Sequence, residues 1–251
     1  MKKYAIIILT MLVGLTASAA DVAGLKKTAD AAYSKGDYRK AEQCYLKLSK
    51  MGESSIVSYN LGCTYYRMDN IAKSVLWFER AARLDPSDDD IRFNLDMARS
   101  KTIDRITPRH EMFFISWWNS LMLSLSVSQW AYLATAAFAV MLVLFGAYIY
   151  LSGIMWRKIS FFGSMLSLLF VILFNIMAWS LRSRNDNRME GIIMSPAVVV
   201  KSTPDKSGTD LFVIHEGTKI VIRDNTLRDW VEVVIADGKV GWVRKDVFET
   251  I

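Results

Sequence analysis

Few residues in this chain are equipped for catalysis. Its 251 residues include two cysteines, Cys44 and Cys63, and two histidines, His110 and His215. Two cysteines cannot build a disulfide framework or a four-cysteine zinc site. Two histidines cannot supply a multi-histidine metal centre. His110 sits in Thr107-Pro108-Arg109-His110-Glu111 and His215 in His215-Glu216-Gly217-Thr218, with long apolar runs between them. Both read as structural or surface histidines. No Gly-rich phosphate loop occurs, and Gly36-Asp37-Tyr38 reads as a turn between helices. The chain is expected not to be an enzyme, with no catalytic residue, no cofactor and no metal.

The net charge of +6 raises the question of nucleic acid. Residues 21–112 carry 16 Lys and Arg against 14 Asp and Glu, and residues 182–251 carry 11 of each. The rest of the excess is Lys2, Lys3, Arg157 and Lys158, each pair beside a long apolar run. Charge placed this way sets membrane topology. A phosphate-binding face would gather its charges on one surface, so no nucleic-acid partner is expected.

The elements that would position these residues follow from patterning. Met1-Lys2-Lys3, the apolar stretch Ala5 to Leu15 and Ala17-Ser18-Ala19-Ala20 form a secretory signal over 1–20, cleaved after Ala19 or Ala20. An uncleaved anchor is the alternative. Residues 21–107 repeat: Gly36-Asp37-Tyr38, Ala41, Tyr45 and Leu48 recur 33 positions later as Asp69-Asn70-Ile71, Ser74, Phe78 and Ala81. This period, with Tyr59-Asn60-Leu61-Gly62, Tyr65 and Asp85-Pro86, resembles the tetratricopeptide repeat. The expected array is two repeats plus a capping helix from Asp89 to about Ile106. Two units are few for a free-standing solenoid, so the array should pack on something else.

In such an array one helix of each pair lines a concave face. The candidate protein-binding residues there are Tyr33, Tyr59, Tyr66, Arg67, Phe93 and Lys101, since Tyr and Arg are favoured at binding hot spots. A solvated face, or one covered by the chain's own third helix or β domain, is the competing reading. Cys44 and Cys63 fall on neighbouring helices. An exported compartment permits a disulfide, but bridging needs Cα atoms within about 7 Å. Unpaired thiols are the expectation and a bond is the alternative.

From Phe113 to Trp156 there are 44 uncharged residues, and Ile159 to Leu181 adds 23. About 20 apolar residues cross a bilayer. The expected spans are 130–153 and 159–181, joined by a basic cytoplasmic loop over 154–158, with Trp130 and Trp156 as interfacial anchors. Residues 108–129, interrupted by serines, read as an interfacial segment, with a third span as the alternative. This arrangement places the protein in an inner membrane with both hydrophilic blocks periplasmic. Arg182, Arg184 and Arg188 run against that orientation. Asn175 is placed to pair with another helix or with its own backbone.

After a linker over 182–190, the pattern turns to period two. Four strands are expected, at Ala197–Val200, Thr218–Ile222, Trp230–Ile235 and Lys239–Val243. Asp237-Gly238 is a hairpin turn. Trp230 and Trp242 mark a second candidate surface, with at least one of them in the core. Roughly sixty residues of short strands suit a small β-barrel over 191–251, and the spacing Ser202-x-Pro204, His215-Glu216-Gly217-Thr218, Trp230 and Gly241-Trp242-Val243 resembles the bacterial SH3-like domain.

The fold class is therefore multi-domain: an all-α tetratricopeptide repeat array, a two-helix transmembrane hairpin and a C-terminal all-β SH3-like barrel. This order, with Arg92-Phe93-Asn94-Leu95 and Thr102-Ile103-Asp104-Arg105-Ile106, resembles the BatE family of Bacteroidetes. The resemblance implies a place in a cluster named for aerotolerance, beside an MoxR-type ATPase. The implied partners are von Willebrand-factor-A-domain membrane proteins of the same complex. Through the SH3-like domain, peptidoglycan is a further candidate partner. The expected function is a non-catalytic scaffold or adaptor of an inner-membrane complex; the alternative is a membrane protein that binds cell-wall peptides.

Overall fold

The computed structural model describes residues 21–106, 112–187 and 189–251. The expected signal over 1–20, and His110, lie outside the described residues. Five helices come first: α1 over 21–34, α2 (Tyr38–Met51), α3 (Ser55–Arg67), α4 (Ile71–Leu84) and α5 (Asp89–Arg99). The repeat shows in the turns. Gly36 N–H donates to Tyr33 O and Asp37 N–H to Ala32 O; 33 positions on, Asp69 N–H donates to Tyr66 O and Asn70 N–H to Tyr65 O. Both turns are Schellman stops with a left-handed residue, Gly36 at φ 80° and Asp69 at φ 60°. The next residue then caps the following helix: Asp37 accepts from Lys40 N–H, and Asn70 from Lys73 N–H.

Close packing at Gly62 joins α3 to α4. A Cβ there would stand 2.5 Å from Phe78 Cδ1. Ser74, at the repeat position that Ala41 fills in the first unit, donates its hydroxyl to Gly62 O at 2.9 Å. It is fully buried, so the departure from a plain small residue carries its own bond.

Helix α5 ends at Arg99, short of the expected Ile106. The chain after it turns away, and Ile106 packs into the core of the C-terminal sheet. The competing attraction is the sheet, whose turn Asp104 binds as described below.

Helix α6 (Phe113–Met122) is followed by α7 (Val127–Tyr150) and α8 (Ile154–Asn187). Both α7 and α8 are long and apolar enough to cross a membrane. Ten residues of helix reach only about 15 Å, so α6 is too short to cross the ~30 Å hydrocarbon layer. Ser126 and Gln129 form a capping box that starts α7 three residues before the expected span. The basic pair Arg157-Lys158, expected in a loop over 154–158, lies in the opening turns of α8. Only residues 151–153 connect the helices. Trp130 is not a lipid-facing anchor: it is buried, and its indole N–H donates to Met122 O at 3.1 Å, fastening the α6–α7 turn. Asn175 bonds its own backbone, donating to Val171 O.

Helix α8 continues through residues 182–187, read from sequence as linker. At about 51 Å it is longer than a ~30 Å hydrocarbon layer. Near its end Asn185 donates to Arg83 O at 3.0 Å, tying the helix to the repeats.

The C-terminal block is one antiparallel sheet of seven strands: β1 (Glu190–Ile193), β2 (Ala197–Lys201), β3 (Asp210–His215), β4 (Lys219–Asp224), β5 (Trp230–Val234), β6 (Val240–Arg244) and β7 (Phe248–Thr250). Sequence reading found four of these. β1 and β7 are short, and β3 shows little alternation, exposing Leu211 and Val213. The spatial order is β3-β2-β6-β5-β4-β1-β7, with β3 and β7 as free edges. The expected barrel is therefore not closed. One cluster nonetheless draws Val198 and Val200 (β2), Ile214 (β3), Ile220 (β4), Val231 and Val233 (β5), and Val243 (β6), with Phe248 of β7 packed against it. A sheet whose two edges share one core must curl around it. Trp230 and Trp242 are half-buried and lie outside that core, because Val231, Val233 and Val243 take the inward positions of their strands.

Candidate protein-binding face

Helices α1, α3 and α5 carry five of the candidate residues, and Lys101 lies just past the end of α5. Tyr33 meets Tyr38 edge-on at 5.5 Å, and Arg67 lies against the Tyr33 hydroxyl. Tyr59 stacks obliquely on Phe78 at 5.7 Å and accepts a hydrogen bond from Asn94 Nδ2 at 3.0 Å. Lys101 Nζ sits 4.3 Å from the centre of the Tyr66 ring, a cation–π contact. Two pairs thus meet, Tyr33 with Arg67 and Tyr66 with Lys101, and the six differ in burial. Tyr33, Tyr59 and Tyr66 are half-buried, and the last two pack on the cluster that holds Leu95 and Ala98 of α5. The chain's own third helix covers that part of the face. Arg67 and Lys101 are exposed, and Phe93 is 70% exposed.

Cys44 and Cys63 are both free thiols. Burial pushes the Cys63 thiol pKa up, against the opposing pull of Tyr59 and Arg67. A thiol kept protonated is a poor nucleophile.

The sheet packs on α4 of the array. Ile192 of β1 is fully buried in one cluster with Val75, Leu76 and Phe78 of α4. Beside it, Glu79 is buried with its carboxylate between Arg99 Nη2 and Lys219 Nζ, the latter at 3.0 Å. Lys219 also reaches Glu190 at 2.7 Å. Burial alone would raise the Glu79 pKa, but Lys219 and Arg99 outweigh it and hold the carboxyl below its usual range. The C-terminus closes the junction. Arg80 donates to Thr250 O, Arg83 donates to Ile251 O at 2.7 Å, and Ile251 N–H donates to Glu190 O.

Asp104 makes the second link. Its carboxylate accepts from His215 N–H at 2.7 Å and from the Thr218 hydroxyl at 2.6 Å, and lies 2.8 Å from His215 Nδ1. These bonds overcome the effect of burial and hold Asp104 below the ordinary carboxylate range. The turn they grip holds Gly217 at φ 84°, where a Cβ would stand 2.6 Å from Thr102 Cγ2. His215 is thus structural, binding the sheet to the repeats.

Sequence reading did not identify Glu79, Lys219 or Asp104. Glu79 had a signal: it occupies a core position of α4, one of Val75, Phe78, Glu79 and Ala82 at i, i+3, i+4 and i+7. A carboxylate on that stripe needs a cation brought from elsewhere. Lys219 and Asp104 are separated from their partners by more than a hundred residues and had no local signal.

No curated protein matches the chain. A family model, the tetratricopeptide repeat, matches residues 57–88, the stretch that holds α3, α4 and the turn into α5, so this helix pair is similar to one tetratricopeptide repeat.

Proposed function

We propose that this protein is a non-catalytic membrane scaffold that presents the exposed end of its repeat face to another protein. The observation that carries the reading is Phe93, a large apolar side chain 70% exposed on α5, in an array that also exposes Arg67 and Lys101. Tetratricopeptide repeats suggest protein–protein interaction. Aromatic residues and Arg are enriched at protein interfaces. The repeats and the sheet touch each other directly, so they share one side of any membrane that α7 and α8 cross. That supports a hairpin with an even number of spans. With the basic pair of α8 at the far end, it favours an inner-membrane protein with both folded blocks periplasmic. The resemblance to the BatE family makes von Willebrand-factor-A-domain membrane proteins the partner class to try first, in an aerotolerance or envelope-stress complex.

The test is co-purification from native membranes. Phe93→Ala with Arg67→Glu should weaken partner capture by about 2 kcal/mol or more per hot spot, while leaving the melting temperature nearly unchanged because both side chains are exposed. Unchanged capture with intact folding removes this face from the reading. One observation favours a second reading, in which the sheet binds cell-wall peptides: Trp230 and Trp242 lie on adjacent paired strands, outside the core. Retention on isolated muropeptides, lost in Trp242→Ala, would support that alternative.

A further inference from the structure

Beside the junction lies a cavity of about 280 Å³ that the scaffold function does not use. Its walls come from all three parts of the chain. Arg83, Arg92 and Arg99 come from the repeats, Arg184 from the end of α8, and Lys219 from the sheet. Five cationic side chains thus line it beside two carboxylates, Glu79 and Glu190. Glu79 is already held by Arg99 and Lys219. Arg92 pairs with Asp89 outside the cavity wall, where both side chains are exposed, and Arg184 reaches Asn119 Oδ1 at 3.4 Å.

The cavity's position identifies its occupant. Leu123 and Leu181 form part of the lining. Leu181 packs in one cluster with Met122, Trp130 and Met177, the layer where α6, α7 and α8 meet. Helix α6, whose Met122 belongs to that layer, exposes Phe113, Phe114 and Trp117, and aromatic residues favour a membrane interface. The cavity therefore opens from the apolar end of the spanning helices into a set of arginines. Sites for drug-sized ligands occupy about 300–1,000 Å³, so this volume suits a head group whose tails stay in the bilayer.

We propose that this cavity binds the phosphate of an anionic phospholipid head group, locking repeats, sheet and hairpin against the membrane surface. Clustered cations beside a membrane surface suit an anionic head group, and guanidinium pairs well with phosphate. The proposal also accounts for Arg184, a cation on the end of α8 that topology alone disfavours. It rests on the reading of α7 and α8 as membrane-spanning.

The test uses the full chain purified in mild detergent, with bound lipid read by native mass spectrometry and binding measured to nanodiscs. Discs of phosphatidylglycerol are compared with discs of phosphatidylcholine, and inorganic phosphate is the free-anion probe. Arg92→Gln with Arg184→Gln should lower affinity for phosphatidylglycerol by about tenfold or more, since each cation near an anionic surface contributes several-fold. Arg182→Gln, which removes an exposed cation paired with Asp186 on the same helix end, should have a far smaller effect. Equal loss in both variants, equal binding to the two lipids, or inorganic phosphate binding as tightly as lipid would each overturn the proposal. Failure of the membrane reading would show separately, as a full-length chain that stays monodisperse without detergent.

Discussion

Two single residues decide how well the repeats close. At Gly62 the backbone of α3 meets the Phe78 ring, and a methyl group would already collide with it. Gly62→Ala should therefore destabilise by about 1–3 kcal/mol through overpacking, and Gly62→Leu by more, read as a lower midpoint in chemical denaturation. An alanine variant with an unshifted midpoint would mean that Phe78 rotates aside freely. Asp69 has the opposite sign. Its left-handed backbone costs an L-residue about 1–2 kcal/mol, while glycine gives back about 0.4–1 kcal/mol through the freer unfolded chain. Asp69→Gly should raise stability by roughly 0.5–1 kcal/mol on the same assay, reproducing the Gly36 turn of the first unit.

At the level of elements, the repeats are completed by the last strand of the sheet. β7 pairs with β1 through Ile193↔Phe248 and Gly191↔Thr250, and the two terminal residues continue onto α4 through Arg80 and Arg83. Deleting Thr250 and Ile251 removes both carbonyl acceptors and the Ile251 contact with the α4 cluster. The expected outcome is faster proteolysis between residues 99 and 106, where the chain crosses from array to sheet. A truncated protein with the wild-type cleavage pattern would show that β1 alone holds the junction.

The whole molecule couples its two folded blocks through carboxylates. Glu79 and Asp104 are both held below their ordinary pKa, so each favours folding when ionised. Their contribution is complete above the unfolded values of about 4 and fades as pH falls through the lowered folded values. The facing groups are Arg99 and Lys219 around Glu79, and His215 around Asp104. Thermal stability of the detergent-solubilised protein should thus drop as pH falls below the ordinary carboxylate range of about 4. Asp104→Asn should be less stable at pH 7 and should lose less on acidification. Parallel curves for the two proteins would show that Asp104 adds nothing to folding.

Much of this was legible in the chain itself. The 33-residue period, the apolar runs and the alternation in β2, β5 and β6 are local patterns, imposed by helix pitch, bilayer thickness and strand pleat. They show without knowing which part touches which. The open sheet, the early end of α5, the inward turn of Trp130 and the cover of α5 over Tyr59 and Tyr66 had no such local mark. The Glu79–Lys219–Glu190 and Asp104–His215 links join residues far apart in sequence, and charge partners at that distance leave no periodicity. A buried carboxylate on the α4 stripe announced that a cation must arrive. Only the packing of the sheet onto the repeats decided that it is Lys219, because only there does an ammonium reach Glu79 while β1 buries Ile192 beside it.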